Sequence, residues 1–246
     1  AKWEYELDES NQIINLKCTN PDELTGNVTV PSTLDGKSVI SLDNEAFKSS
    51  AGITGIIIQD AIKEIAYSAF KNCTNLSSVD LGSIESISFD VFNGCTSLTE
   101  ITIPKTLKNG AGSACLDNPN ITKITLEEGL TVVPSYLCAN TGITEIIIPS
   151  SVKEIEYDAF KDCEKLTKIT ILDNVTNIGF YNTSSSDSVF QNHNEDLTIY
   201  CYEGSMAANY AIKYDIKYVY LTKPTTDTPA QENPTNNNTP TNGNNN

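Results

Sequence analysis

The chain has 246 residues and a mass of 26.8 kDa, which is enough for one or two domains with a substantial core. It carries 32 acidic against 16 basic residues, for a formal charge of −16, and every basic residue is a lysine. This composition excludes nucleic-acid binding, because phosphate recognition needs clustered cationic side chains. His193 is the only histidine, so a histidine cluster for a metal is excluded, and no apolar run is long enough for membrane insertion.

The first part of the chain, residues 1–53, is predicted to form an N-terminal cap and a first turn. Residues 1–4 lack the charged start and apolar stretch of a secretory signal peptide. Residues 28–31 (VTVP) and 45–47 (EAF) already follow the pattern of the units that come next.

Residues 54–197 contain six repeats of 22–31 residues. Their shared pattern is T-x-I-x-I-P-x-x-V-x-x-I-x-x-x-A-F-x-x-C-x-x-L, and the units begin at Thr54, Ser77, Thr99, Thr122, Thr144 and Thr167. The I-x-I alternation predicts a short strand with one buried face, and the V-x-x-I step adds apolar side chains on the opposite wall. A unit of this size cannot bury its apolar set alone, so successive units are expected to stack into a solenoid.

Two units depart from the pattern. In the unit of residues 99–121, Gly110 and Cys115 replace a core isoleucine and phenylalanine, which predicts a thinner, softer core. The sixth unit carries an insertion at residues 180–187 before the pattern resumes at Val189.

The seven cysteines are an odd number, so they cannot form a complete internal disulfide framework. Cys73, Cys95 and Cys163 share one repeat position, and we predict a ladder of small buried side chains there. We place Asn118 and Asn140 at this position in two other units, and His193 near it. Cys138 is predicted to be more exposed. A catalytic thiol would need a histidine partner, and no motif places His193 beside a cysteine.

The repeat resembles the BspA-type leucine-rich repeat family over roughly residues 26–221. The resemblance is carried by residues 146–149 (IIIP), 152–155 (VKEI) and 159–166 (AFKDCEKL) and by the copies of these motifs in other units. At the C-terminal end, residues 204–211 (GSMAANYA) and 218–220 (YVY) resemble the closing helix and final strand of that family, so residues 198–221 are predicted to be a C-terminal cap.

The resemblance implies an α/β repeat solenoid, a right-handed leucine-rich-repeat superhelix. A parallel β-sheet is expected on one face and short irregular or helical turns on the other. It also implies a bacterial protein that is extracellular or on the cell surface, acts in adhesion or host interaction, and has no catalytic site and no cofactor.

Residues 222–246 have a different composition. Nineteen of these 25 residues are threonine, asparagine or proline, and such a segment cannot bury enough apolar surface to fold. We predict a disordered linker that leads to a further module beyond Asn246.

Strand alternation predicts which side chains the sheet exposes to solvent. One row takes the middle residue of each strand, and the row before it holds an alternating-charge ladder with strands about 4.8 Å apart. The candidate partner-binding residues on these rows are Ile57, Asp80, Glu100, Thr102, Lys123, Thr125, Glu145, Ile147, Lys168, Thr170 and Tyr200. A solvated sheet face with paired charges explains the same pattern without any ligand, so both interpretations stay open.

The leading functional hypothesis is a monomeric, non-enzymatic recognition module that binds a protein or a glycan through this sheet face. A passive spacer that carries another domain is a second hypothesis. A parallel β-helix enzyme acting on polysaccharide is a third, and the absence of arginine weighs against it.

Overall fold

The computed structural model describes residues 1–110, 116–179 and 189–223. Most turns contribute one strand of three to six residues and one of two residues. In chain order, the elements are β1 (Trp3–Leu7), β2 (Ile13–Cys18), a 3-10 helix (Pro21–Glu23), β3 (Gly26–Val30), β4 (Thr33–Leu34), β5 (Lys37–Ser38), β6 (Ser41–Leu42), β7 (Ile53–Ile58), β8 (Glu64–Ile65), β9 (Ser78–Asp80), β10 (Ser86–Ile87), β11 (Glu100–Ile103), β12 (Asn109–Gly110), β13 (Lys123–Leu126), β14 (Val132–Val133), β15 (Glu145–Ile147), β16 (Glu154–Ile155), β17 (Lys168–Thr170), β18 (Asn177–Ile178), β19 (Thr198–Cys201), α1 (Met206–Lys213) and β20 (Lys217–Tyr220).

The strands form two walls around one core. The front sheet consists of three hydrogen-bonded groups in the orders β3-β7-β9, β11-β13 and β15-β17-β19-β20. The back sheet contains the groups β1-β2-β6-β8-β10-β12 and β14-β16-β18. Among the described pairings of named strands, only β1–β2 and the β4–β5 hairpin are antiparallel. The repeat-solenoid fold class is therefore confirmed, and the wall expected to carry irregular or helical turns carries a narrow parallel ladder of two-residue strands.

A phenylalanine ladder runs along the core. The rings of Phe47 and Phe70 stack at 5.2 Å between centroids, Phe70 and Phe92 at 5.6 Å, and Phe160 and Phe190 at 5.5 Å. All five side chains are buried. Stacking repeats because each turn places the same side chain one strand spacing from its predecessor.

Cys138 is buried within this ladder, so the prediction that it is exposed is wrong. The Cys138 amide donates to the carbonyl of Ala159, just as the Phe70 amide donates to the carbonyl of Val91 in the equivalent turn. Cys138 therefore takes the phenylalanine position. Leu137, buried beside it, takes the alanine position, so the Ala-Phe pair becomes a Leu-Cys pair in which the large side chain has moved by one residue.

Two residues per turn adopt a left-handed backbone conformation. One precedes the Ala-Phe pair, as at Ser68 (φ 54°) and Asp158 (φ 53°), and the other precedes the cysteine position, as at Asn72 (φ 61°) and Asp162 (φ 56°). Short polar residues dominate these positions because their side chains hydrogen-bond locally and tolerate this region. This preference explains the D, N and S of the repeat, to which the sequence pattern assigned no role.

The two ends of the core are covered by aromatic side chains. At the N-terminal end, the Trp3 ring meets Phe47 edge-on at 5.8 Å. At the C-terminal end, Tyr210 of α1 meets Phe190 at 6.0 Å, and its hydroxyl accepts a hydrogen bond from the Val189 amide at 2.8 Å. Ser205 caps α1 by accepting from the Ala208 amide at 3.2 Å. These contacts close the apolar ladder against water.

The predicted insertion at residues 180–187, Cys115 and nearly all of the predicted linker lie outside the described residues. Lys223, which the sequence assigns to the linker, forms an ion pair with Asp173 at 2.7 Å. Within the three described ranges, no helix has the length and apolar character needed to cross a membrane.

Candidate functional site

The predicted surface rows lie on the front sheet in the expected register. Glu100 is opposite Lys123 and Thr102 opposite Thr125, and the next pair of strands sets Glu145 opposite Lys168. Ile57 pairs with Asp80, Ile147 with Thr170, and Thr170 with Tyr200. Thr170 and Tyr200 are half-buried and the other candidate residues are exposed. The repeat produces this alignment because a strand period of two keeps one set of side chains on one face.

The charged row forms two separate ion pairs, not one continuous ladder. Lys123 Nζ lies 3.2 Å from Glu100 Oε2, and Lys168 Nζ lies 3.5 Å from Glu145 Oε2. Strands β13 and β15, which carry Lys123 and Glu145, belong to different hydrogen-bonded groups of the front sheet. Within the described residues, no ion pair joins Lys123 to Glu145 across this step. Exposed pairs of this kind contribute at most about 1 kcal/mol each.

Apolar and aromatic side chains stand beside these ion pairs. Ile147 is 69% exposed and Ile57 is 41% exposed, which is unusual for isoleucine on a sheet. Lys168 Nζ also lies 5.4 Å above the centroid of the Tyr200 ring, so Lys168 links Glu145 to Tyr200. The front sheet therefore offers both apolar and charged contacts to a partner.

A cleft opens where the front sheet is interrupted between β9 and β11. It has a volume of about 320 Å³ and is lined by residues that include Ser78, Val79, Glu100, Thr102 and Lys123. Sequence reasoning missed this cleft, since the repeat pattern predicts equal spacing between all strands. Only the break after β9, visible in the pairing of the strands, marks it.

The predicted cysteine ladder is buried, and its thiols are hydrogen-bond donors. Cys73 Sγ donates to the Phe47 carbonyl at 3.1 Å and Cys95 Sγ to the Phe70 carbonyl at 3.0 Å. Both cysteines are free, as predicted. The position thus requires a small donor that satisfies a carbonyl of the preceding turn.

Of the other members, Asn118 and Cys163 follow the same rule, whereas Thr141 and His193 contact a carbonyl of their own turn. Asn118 Nδ2 donates to the Cys95 carbonyl at 2.9 Å, which confirms its predicted place. In the next turn the cysteine position is occupied by Thr141, and the prediction of Asn140 there is wrong. The Thr141 hydroxyl lies 3.6 Å from Cys163 Sγ, the cysteine of the following turn. His193 is in the final position, exposed, with Nδ1 2.9 Å from the Phe190 carbonyl. Burial raises the pKa of Cys163.

Tyr136 occupies the left-handed position of its turn, with φ 57°. A bulky residue is unusual in this conformation and costs about 1–3 kcal/mol. Its ring meets Tyr157 edge-on at 5.5 Å, and Lys161 Nζ lies 5.7 Å from the ring centroid. Burial, followed by a hydrogen bond with Asp158, raises the pKa of Tyr136 to about 12.

We expect Tyr136 to remain protonated at a pH where an ordinary tyrosine, with a pKa of about 10, is half ionised. Because the pKa is higher in the folded chain, its contribution to stability is complete below about pH 10 and is lost as the pH rises towards 12. Tyrosinate absorbance should show this as a late step that is missing in Tyr136→Phe. A wild-type minus Tyr136→Phe difference that titrates near pH 10 would contradict the assignment.

Within the described residues, no group of three histidine, cysteine, aspartate or glutamate side chains is placed to hold a metal ion.

A family model for the BspA type leucine rich repeat region matches residues 24–140 and 131–221. The chain belongs to this family. The match covers the repeats and most of both predicted caps, so the BspA-type repeat accounts for nearly all of the described solenoid.

Solved structures of bacterial leucine-rich repeat proteins resemble this BspA-type chain. A leucine-rich repeat protein of T. pallidum is 18% identical with a TM-score of 0.51, covering 88% of this chain and 95% of that one. A leucine-rich cell surface protein of Faecalibacterium prausnitzii is 22% identical with a TM-score of 0.47, covering 68% of this chain and 52% of that one. At these identities the likeness to the first structure supports the fold alone. A comparison with curated proteins gives no match.

Proposed function

We infer that this BspA-type chain is a non-enzymatic recognition module, extracellular or on a bacterial cell surface, that binds a protein or a glycan through its front sheet. The observation that carries the proposal is the exposure of Ile57 and Ile147 on a sheet face whose other fully exposed candidate residues are polar. Apolar and aromatic side chains that a partner covers are among the residues that contribute most to protein association.

The ion pairs of the front sheet do not by themselves support this proposal. A similar pair joins Lys108 and Glu85 on the back sheet at 2.6 Å, so alternating charges occur on both walls. Such pairs avoid like-charge repulsion between stacked turns. The argument for binding therefore depends on Ile57, Ile147 and Tyr200, because avoidance of like-charge repulsion does not explain why these side chains are on the surface.

The test replaces Ile57, Ile147 and Tyr200 together by serine. We expect the variant to lose the partners that the wild-type chain retains on a glycan array and in pull-downs from extracellular proteins. The fold should persist, because these side chains lie outside the core. Circular dichroism and the melting temperature check this.

The matched control replaces three exposed apolar residues elsewhere, Leu7, Phe89 and Ile212, by serine. This variant should keep the wild-type binding profile. An unchanged profile in the front-sheet variant would contradict the proposal. A wild-type chain that retains no partner at all would favour the passive-spacer alternative.

A further inference from the structure

The N-terminal half of the front sheet holds more open space than a single cleft. The cleft between β9 and β11 shares Val79 and Thr102 with a second cleft of about 220 Å³. That cleft shares Asp80 and Gly82 with a third of about 570 Å³, which reaches Ile57 and Asp60. We call these three connected clefts the N-terminal groove.

The groove follows the direction of the strands. Its floor follows β9 from Ser78 to Asp80, about 10 Å of extended backbone, and continues into the turn at Gly82. Strands β9 and β11 on its two sides pair only with β7 and β13, respectively. Cα atoms of β9 and β11 nevertheless lie within 8 Å of each other, so the groove lies over the face of neighbouring strands, and its elongated shape suits an extended peptide lying along it.

The side chains at the groove are acidic. Asp60, Asp80 and Glu127 are exposed, and none of them forms an ion pair within the described part of the chain. Lys123 at the far end is paired with Glu100, so it does not offset their charge. The groove therefore carries local negative charge, in contrast to the paired charges around Glu145 and Lys168.

Hydrogen bonds hold these three carboxylates in place. Asp80 Oδ1 accepts from the Gly82 amide at 2.9 Å, and Asp60 Oδ1 accepts from the Ser83 hydroxyl at 2.8 Å. Glu127 Oε2 accepts from the Lys105 amide at 3.0 Å. Each carboxylate thus keeps one oxygen for a partner, and its position is set before binding, which lowers the entropic cost of association.

We propose that the N-terminal groove binds an extended basic segment of a protein partner, whose lysine or arginine side chains meet Asp60, Asp80 and Glu127. An apolar side chain of the segment packs on Ile57, which lies opposite Asp80 in the register. Charge complementarity selects the partner, because a basic segment is attracted to this groove and an acidic one is repelled. The inference rests on the proposed function and narrows its partner to a cationic peptide.

The experiment measures fluorescence anisotropy of a short labelled peptide of alternating threonine and lysine. The full chain should bind it saturably and more weakly at high salt, because exposed charge contacts are screened. A peptide of alternating threonine and glutamine should not bind. Absence of binding to the lysine peptide would overturn the inference, as would equal or tighter binding of an oligomer of glucosamine, which carries similar charge on a glycan.

The decisive variant combines Asp60→Asn, Asp80→Asn and Glu127→Gln. The amides retain the oxygens that accept the three internal hydrogen bonds, so the fold is preserved while the charge is lost. We expect Kd for the lysine peptide to rise about ten-fold, because the variant loses three exposed charge contacts that are each weak.

A control variant makes the same change in charge away from the groove, with Asp22→Asn, Glu164→Gln and Glu195→Gln, which are exposed. Its Kd should stay close to the wild-type value. Equal weakening in both variants would show non-specific attraction by an acidic protein and would overturn the inference. If the groove variant binds normally while the Ile57, Ile147 and Tyr200 variant loses its partners, the inference fails and the proposed function survives.

Discussion

Replacing Phe160 by alanine is expected to lower the free energy of unfolding by about 3–5 kcal/mol. The Phe160 side chain is 0% exposed, and its ring stacks on Phe190 at 5.5 Å. On its other side stands the small side chain of Cys138, so the neighbouring turn has no large ring to fill the space that is left. Urea denaturation followed by circular dichroism measures the change.

Phe89→Ala is the matched control for this prediction. Phe89 is 38% exposed and packs mainly on Tyr67, with 4.5 Å between ring centroids. Its replacement removes a ring that is partly exposed at the surface and leaves no closed cavity, so we expect a smaller loss than for Phe160, about 1–2 kcal/mol. An unchanged melting temperature in Phe160→Ala would show that the repeat alignment is wrong.

Replacing Gly142 by alanine is the second change with a large expected effect, a loss of about 1–3 kcal/mol. A Cβ atom at Gly142 would lie 2.2 Å from the Pro119 carbonyl oxygen and 3.2 Å from its carbon. Both are main-chain atoms of the preceding turn, so no side-chain rotation relieves the overlap. Gly52 makes the same close approach in an earlier turn, where an added Cβ atom would lie 2.2 Å from the Leu24 carbonyl oxygen.

Gly204→Ala separates steric overlap from backbone strain. Gly204 has φ +73°, and a Cβ atom added there would meet no atom within 4 Å, so alanine costs only the left-handed conformation, about 1 kcal/mol. Thermal denaturation of the two variants should rank Gly142→Ala as the less stable. The reverse order would show that the turns do not pack as closely as described.

The front-sheet register was predictable because it depends on local alternation. In each unit, the residue between two inward-facing apolar side chains must face solvent, and the repeat sets these residues side by side. This holds for Thr102 and Thr125 and equally for Ile147 and Thr170. No long-range information is needed to place them.

The placement of Cys138 and Asn140 failed for a different reason. The unit of residues 122–143 is one residue shorter after the cysteine position, and alignment from its end moves every assignment by one. In the structure, hydrogen bonds between turns fix the alignment, with Cys138 opposite the Ala-Phe pair and Thr141 opposite Cys163. The exchange of Ala-Phe for Leu-Cys also made the phenylalanine position hard to recognise from the sequence. The pair keeps about the same total apolar volume, but its large side chain is the first residue and not the second.

The sequence by itself determined the solenoid, the composition of its core and the face that each strand presents to solvent. These follow from the period of the apolar residues, because a unit of about 22 residues can bury them only by stacking. The tertiary structure alone decided where the front sheet is interrupted and therefore where Asp60, Asp80 and Glu127 border an open groove. The hydrogen bonding between strands depends on how whole turns pack on each other, and strands with identical positions in the repeat differ in it.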